Sequence, residues 1–161
     1  MSEAGGGRST GRIVVGVDGS APSAQALRWA VALAKLTGQE VHAVSAWIPP
    51  TAYGWGPIID DTDWEENARV VLAGAVKETL DDADSALVRQ EAVHGHPAQV
   101  LLDAAEGADM LVVGNRGHGG FAGLLLGSVS RHVSAHAACP VLVVHEEDAP
   151  PTASKVKAGR G

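Results

Sequence analysis

The sequence predicts an α/β domain built on a parallel sheet with helices on both faces. Three observations lead there. Short apolar runs that suit doubly buried strands alternate with longer segments of helical period, in the order β-α-β-α-β-α-β-α-β, and such alternation calls for right-handed crossovers between parallel strands. The apolar content is carried by Ala, Val, Leu and Gly, with aromatic residues at 4%; small aliphatic side chains pack closely between helices and a sheet. A length of 161 residues is that of one domain, enough to bury a real core.

Each element has a local reason. Ile13, Val14, Val15, Gly16 and Val17 form the first apolar run. Asp18-Gly19-Ser20 is a turn in which Ser20 can cap a helix, and Pro22 fits that helix's first turn. Leu27, Val31 and Ala34 share its inner face, and Gly38 ends it. The second strand, 41–47, stops at Pro49-Pro50. Residues 49–61 make a long loop rich in Pro and Gly, of a kind that is often functional in compact domains. Asp61 or Asp63 caps the next helix, which turns Ala68, Leu72, Ala75 and Val76 inward. That helix is expected to end near Asp81 and Asp82, because acids sit badly at a C-terminus. The third strand is expected at 86–93. Gly95 turns the chain, and Pro97 opens a helix with Val100, Leu101 and Ala104 on its apolar face. Residues 110–113, 128–137 and 141–144 complete the pattern as strand, helix and strand.

Composition narrows the function. The formal net charge is −7, and Lys and Arg cluster only in the tail, so a nucleic-acid partner is not expected. No apolar run is long enough to cross a membrane. Residues 1–10 lack the apolar stretch of a signal peptide, and a lone cysteine, Cys139, gives no reason to expect an oxidising compartment. A soluble cytoplasmic protein is the expectation. Residues 1–10 read as a flexible tail, 11–146 as the domain and 147–161 as a disordered tail.

In an open parallel sheet, ligands sit beyond the carboxyl ends of the strands where the strand order reverses. After the fourth strand comes a segment with five glycines in the ten positions from Gly114. Glycine costs backbone entropy, so such a run implies sharp bends or a close approach to something. Backbone N–H groups in a nest hold phosphate in this way. Gly127 and Ser128 then open a helix, whose N-terminus offers unpaired donors and a positive dipole end. The Ser128 and Ser130 hydroxyls add potential donors. A glycine-rich turn before a helix can also be a plain tight connection, and Asp18 can simply bond its own turn.

The spacing Gly114-x2-Gly117-x9-Gly127-Ser128 resembles the nucleotide signature of the ATP-binding universal stress proteins. The opening from Ile13 to Ser20 and the ending Ala138-Cys139-Pro140-Val141-Leu142-Val143-Val144 resemble that family too. The resemblance implies a Rossmann-like three-layer sandwich with a five-stranded parallel sheet in the order 3-2-1-4-5, and a nucleotide over strands one and four. By matched position, Gly16, Val17 and Asp18 would line the base and ribose side, and Ala46 would meet the adenine, where a larger aliphatic residue is familiar. Gly114, Gly117, Gly127, Ser128, Val129 and Ser130 would hold ribose and phosphates. Arg116, His118 and Gly119 lie within the same loop, where Arg116 and His118 could reach phosphate, although the signature does not fix them. The implied ligand is ATP, ADP or AMP, with Asp18 a candidate to hold magnesium. The protein would bind nucleotide in a stress-response or signalling role, with slow hydrolysis or none. The last strand would be a sheet edge, and the resemblance implies a homodimer through Val141, Leu142, Val143, Val144 and His145.

Other readings are weaker. Gly117-x-Gly119-x-x-Ala122 matches a dinucleotide fingerprint, with Glu146 or Glu147 as the ribose acid, but it follows the fourth strand and has no second nucleotide half after it. The same fold acting as a nucleotide-free interaction protein would not need the glycine spacing. No Gly-x4-Gly-Lys-Ser/Thr segment exists, so a P-loop ATPase is disfavoured. His132, His136 and Cys139 have zinc-like spacing without a fourth ligand, and read better as surface and core residues. His94 and His96 read as parts of a turn. Trp47, Tyr53, Trp55 and Trp64 surround the long loop, as a lid or as cover for the core edge.

Overall fold

The computed structural model describes residues 11–49, 63–117 and 126–152. The expected tail at 1–10, Tyr53 and Trp55 of the long loop, and His118 and Gly119 lie outside the described residues.

The elements run β1 (Arg12–Gly16), α1 (Ala21–Thr37), β2 (Glu40–Trp47), α2 (Trp64–Thr79), α3 (Asp82–Ser85), β3 (Val88–His94), α4 (Pro97–Ala105), β4 (Met110–Gly114), α5 (Ser128–His136) and β5 (Val141–Val144). The strands form one sheet in the order β3-β2-β1-β4-β5, with every neighbour parallel. This is the expected order.

Alternation along the strands makes two cores. Ile13, Val15, Ala43 and Val112 face one way, under Leu27 and Val31 of α1 and Leu72 and Val76 of α2. Val14, Val44, Leu111 and Val113 face the other way, against Val100, Leu101 and Ala105 of α4 and Val133 of α5. A period of two along each strand thus gives a helix–sheet–helix sandwich. Arg12 fixes one of those helices: its Nη2 donates to the carbonyls of Ala104 (3.2 Å) and Glu106 (2.6 Å), at the C-terminal end of α4.

The helix ends follow their capping chemistry. Ser20 Oγ accepts from the Ser23 N–H at 3.3 Å, and Gly38 closes α1 at φ 80°, where only glycine sits without strain. Asp63, rather than Asp61, caps α2 by accepting from the Glu66 N–H at 3.0 Å.

The sequence reading needs two adjustments. Asp81 and Asp82 do not merely end α2: Asp81 caps a separate one-turn helix, α3, by accepting from the Asp84 N–H at 2.7 Å. The acids therefore stand at a helix N-terminus, the end that favours them. The inserted turn delays β3 to Val88–His94. On α4 the fully buried residue is Ala105, with Ala104 only half-buried. After β5, Asp148 ties the chain back to the domain. The His145 N–H donates to Asp148 Oδ2 at 2.9 Å. The Asp148 carbonyl accepts from Gln25 Nε2 (2.6 Å) and Trp29 Nε1 (2.9 Å) of α1.

Candidate functional site

The strand order reverses between β1 and β4, and a cavity of about 330 Å³ opens beyond their carboxyl ends. That size suits a small organic ligand. Of the residues proposed from sequence, Gly16, Val17, Asp18, Ala46, Gly114, Arg116, Gly117, Gly127, Ser128, Val129 and Ser130 all line it.

The cavity has two chemically different sides. Val44, Ala46, Pro97, Leu101 and Val113 supply an apolar wall. These residues, apart from Ala46, were not singled out as site residues from sequence, together with Ser23, which also lines the cavity. The signal was present: Val44 shares a sheet face with Ala46 two residues on, and Pro97 and Leu101 are four apart on one helix face. The rest of the lining draws on two glycine-bearing segments, with Gly114, Arg116 and Gly117 in one and Gly127, Ser128, Val129 and Ser130 in the other.

The second of these segments is the start of α5. Gly127 is its N-cap, without a side-chain cap, whereas α1, α2 and α3 each have one. The first intrahelical bond runs from the Arg131 N–H to the Gly127 carbonyl. The N–H groups of Ser128, Val129 and Ser130 therefore precede any intrahelical acceptor, beside the cavity and at the positive end of the helix dipole. The Gly127 N–H itself donates to the Asn115 carbonyl at 2.7 Å, closing the loop at its base.

Gly127 stands at φ −73°, ψ 172°, a conformation open to any residue. A Cβ built there would meet its nearest neighbours, the Arg116 Cα, Asn115 carbonyl oxygen and Gly117 nitrogen, at 3.5–3.7 Å, an ordinary contact. Nothing within the described chain requires glycine at this position. A Cβ would instead narrow a cavity that Gly127 lines. Gly114 is different. A Cβ there would lie 2.7 Å from two Pro22 carbons and 2.9 Å from the Ser23 nitrogen, so the start of α1 occupies its space.

Among the described residues, Asp18 and Arg116 are the charged residues of the lining. Both are exposed. Asp18 Oδ1 accepts from the Ser20 N–H at 2.9 Å and from the Ser20 hydroxyl. The carboxylate thus supports its own turn, as the plainer sequence reading held, while its Oδ2 packs against Gly117: a Cβ on Gly117 would come within 2.5 Å of it. Ser130 is buried, 3% exposed. Its hydroxyl donates to the Gly114 carbonyl at 2.7 Å. A serine hydroxyl has one proton, and in this structure Ser130 places it on the Gly114 carbonyl; Ser128, which is exposed, has no such commitment among the described hydrogen bonds.

The remaining candidates stay outside the cavity lining. His132 and His136 stack on the exposed side of α5 with ring centroids 4.6 Å apart, and among the described residues no group of three or more His, Cys, Asp or Glu side chains could hold a metal. Cys139 is half-buried against the core, and that burial pushes its thiol up from its ordinary pKa. Trp47 packs on His94 at 4.8 Å, at the ends of β2 and β3. Among the described residues, no helix is long and apolar enough to cross a membrane.

Comparison with known proteins agrees with this picture. The model of the universal stress protein family matches residues 10–145. A universal stress protein of Mycolicibacterium smegmatis is 38% identical over 143 residues, covering 84% of this chain and 48% of its own length. One of Mycobacterium tuberculosis is 37% identical over 149 residues, covering 85% and 48%. The chain spans about half the length of these curated relatives. Among solved structures, a universal stress protein in complex with cAMP superposes with a TM-score of 0.63 at 29% identity, covering 86% of this chain and 98% of that one. The Archaeoglobus fulgidus protein in complex with dAMP gives 0.60 at 25%, covering 83% and 96%. The Lactobacillus plantarum protein, at 0.69 and 22% identity over 83% and 97%, shares the fold. On the match across residues 10–145, the chain belongs to the universal stress protein family.

Proposed function

We propose that the cavity between β1 and β4 binds an adenine nucleotide, with ATP as the working ligand, and that the protein holds the nucleotide rather than turning it over. The observation that carries this reading is Gly127: a glycine that nothing among the described residues requires, lining one cavity with an apolar wall and with the first N–H groups of α5. The wall suits a planar base, and the helix start suits phosphate. The relatives solved with cAMP and dAMP support the same ligand class.

Asp18 stands beside the backbone cradle, where a carboxylate repels phosphate unless a cation lies between them. Magnesium commonly joins one or two carboxylates to substrate phosphates, and Asp18 is the acid of the lining placed to do so. Among the described residues the lining contains no lysine to stabilise charge during phosphoryl transfer, which supports slow hydrolysis or none. This reading places the protein in the cytoplasm, with a role in stress response or signalling.

We expect freshly purified protein to release adenine nucleotide on denaturation, identified by mass spectrometry. Added ATP with magnesium should raise Tm by roughly 5–10 °C at about a hundred times Kd. An empty protein whose Tm does not respond would overturn the reading in favour of a nucleotide-free interaction protein.

The two sheet edges differ. β3 carries Arg89, Gln90 and Glu91, all exposed, and charged residues discourage edge pairing. β5 is Val141-Leu142-Val143-Val144, of which the first three are only half-buried. The proposal therefore includes a homodimer through β5 and His145. Sedimentation should give a dimer for the wild type and a shift toward monomer for Leu142→Lys. A wild-type monomer at micromolar concentration would overturn it.

A further inference from the structure

The Ser130 hydroxyl is accounted for within the protein, and that constrains what it does for the site. The Asn115 N–H donates to Val144 of β5 at 2.8 Å. The peptide joining Gly114 to Asn115 is trans, as no cis bond occurs among the described residues. In a trans peptide the carbonyl points opposite to the N–H. The Gly114 carbonyl is therefore turned away from β5, toward β1. The β1–β4 ladder has already ended at Val15 and Val112, so this carbonyl faces the gap where the cavity opens. Gly114 and Ser130 both line that cavity.

A bare carbonyl oxygen at an anion site would be doubly unfavourable. It would be a polar group shielded from water without a partner, and its negative end would face phosphate. Ser130 removes both problems with its one bond at 2.7 Å. Resting on the nucleotide reading above, we propose that Ser130 is a positioning residue that masks the Gly114 carbonyl, so that the cavity presents N–H groups and not a carbonyl oxygen to the ligand's phosphates. Ser130 is itself tied into the helix, since its carbonyl accepts from the Ser134 hydroxyl at 2.7 Å. The bond spans 16 residues and joins the end of β4 to the first turn of α5.

The test uses nitrogen-15 NMR and calorimetry on the full chain. Loss of a hydrogen bond at the Gly114 carbonyl moves the amide nitrogen of the next residue, Asn115. In nucleotide-free protein, Ser130→Ala should shift the Asn115 signal and Ser130→Thr should restore it. In the wild type, that signal should keep its Ser130-bonded position when ATP binds. Ser130→Ala should weaken ATP about tenfold, with less than a threefold effect on adenosine. If ATP moves the wild-type Asn115 signal to its Ser130→Ala position, the hydroxyl has turned to phosphate and the proposal is overturned. Equal weakening of ATP and adenosine also overturns it. A wild type that binds no adenine nucleotide overturns the proposed function, a result distinguishable because the Asn115 response in nucleotide-free protein would persist.

Discussion

Gly127→Val is expected to abolish nucleotide binding in a protein that stays folded. The backbone at φ −73°, ψ 172° admits valine, and among the described residues the nearest neighbours of a Cβ lie at 3.5 Å or beyond, so the described fold has room for the Cβ. The added methyl groups would enter the cavity between the apolar wall and the first turn of α5. A ligand whose phosphate sits on those N–H groups would be displaced from them. Loss of even two charge-assisted bonds, at about 1.5–3 kcal/mol each, weakens binding by about a hundredfold or more. Calorimetric titration with ATP and magnesium measures the loss, and a thermal melt without nucleotide should move by no more than about 2 °C. Retained ATP affinity would mean that the phosphates lie elsewhere.

Gly114→Ala should do the opposite, damaging the fold first. Its Cβ would press on Pro22 and on the Ser23 backbone nitrogen at 2.7–2.9 Å. A backbone neighbour cannot rotate away as a side chain can. Either α1 shifts or β4 bends, and overpacking of this kind costs about 3 kcal/mol, near a 10 °C fall in Tm for a domain of this size. Urea and thermal unfolding of the nucleotide-free protein check it. A fall below 2 °C would show that the α1–β4 contact yields easily.

These two glycines show where sequence reasoning reached and where it stopped. Both belong to one spaced motif, and both were assigned to the ligand. Only the structure separates Gly114, excluded from carrying a side chain by α1, from Gly127, left free of that constraint. The same limit applies to Ser130. A hydroxyl near a helix start reads as a phosphate donor, and the acceptor that Ser130 has in the structure lies 16 residues away, which no local pattern reveals. The strands and their order were legible because Val14 and Val15 alternate between two cores and because Pro22, Gly38 and Pro97 punctuate helices in ways that depend on the backbone alone. The one-turn helix α3 was missed for a similar reason to Ser130. Asp81 and Asp82 were judged as the end of one helix, and the capping bond from Asp84 makes them the start of another. Val44 and Leu101 were omitted from the site because each is a sound core residue, and apolar walls carry no separate signal in sequence.

The bond from the Gly127 N–H to the Asn115 carbonyl makes the start of α5 mechanically part of the sheet. Asn115 is itself held to β5, because its own N–H donates to the Val144 carbonyl at 2.8 Å. A load on the first turn of α5 is therefore carried through Asn115 into β4 and β5, and the N–H groups of Ser128, Val129 and Ser130 move with the sheet and not apart from it.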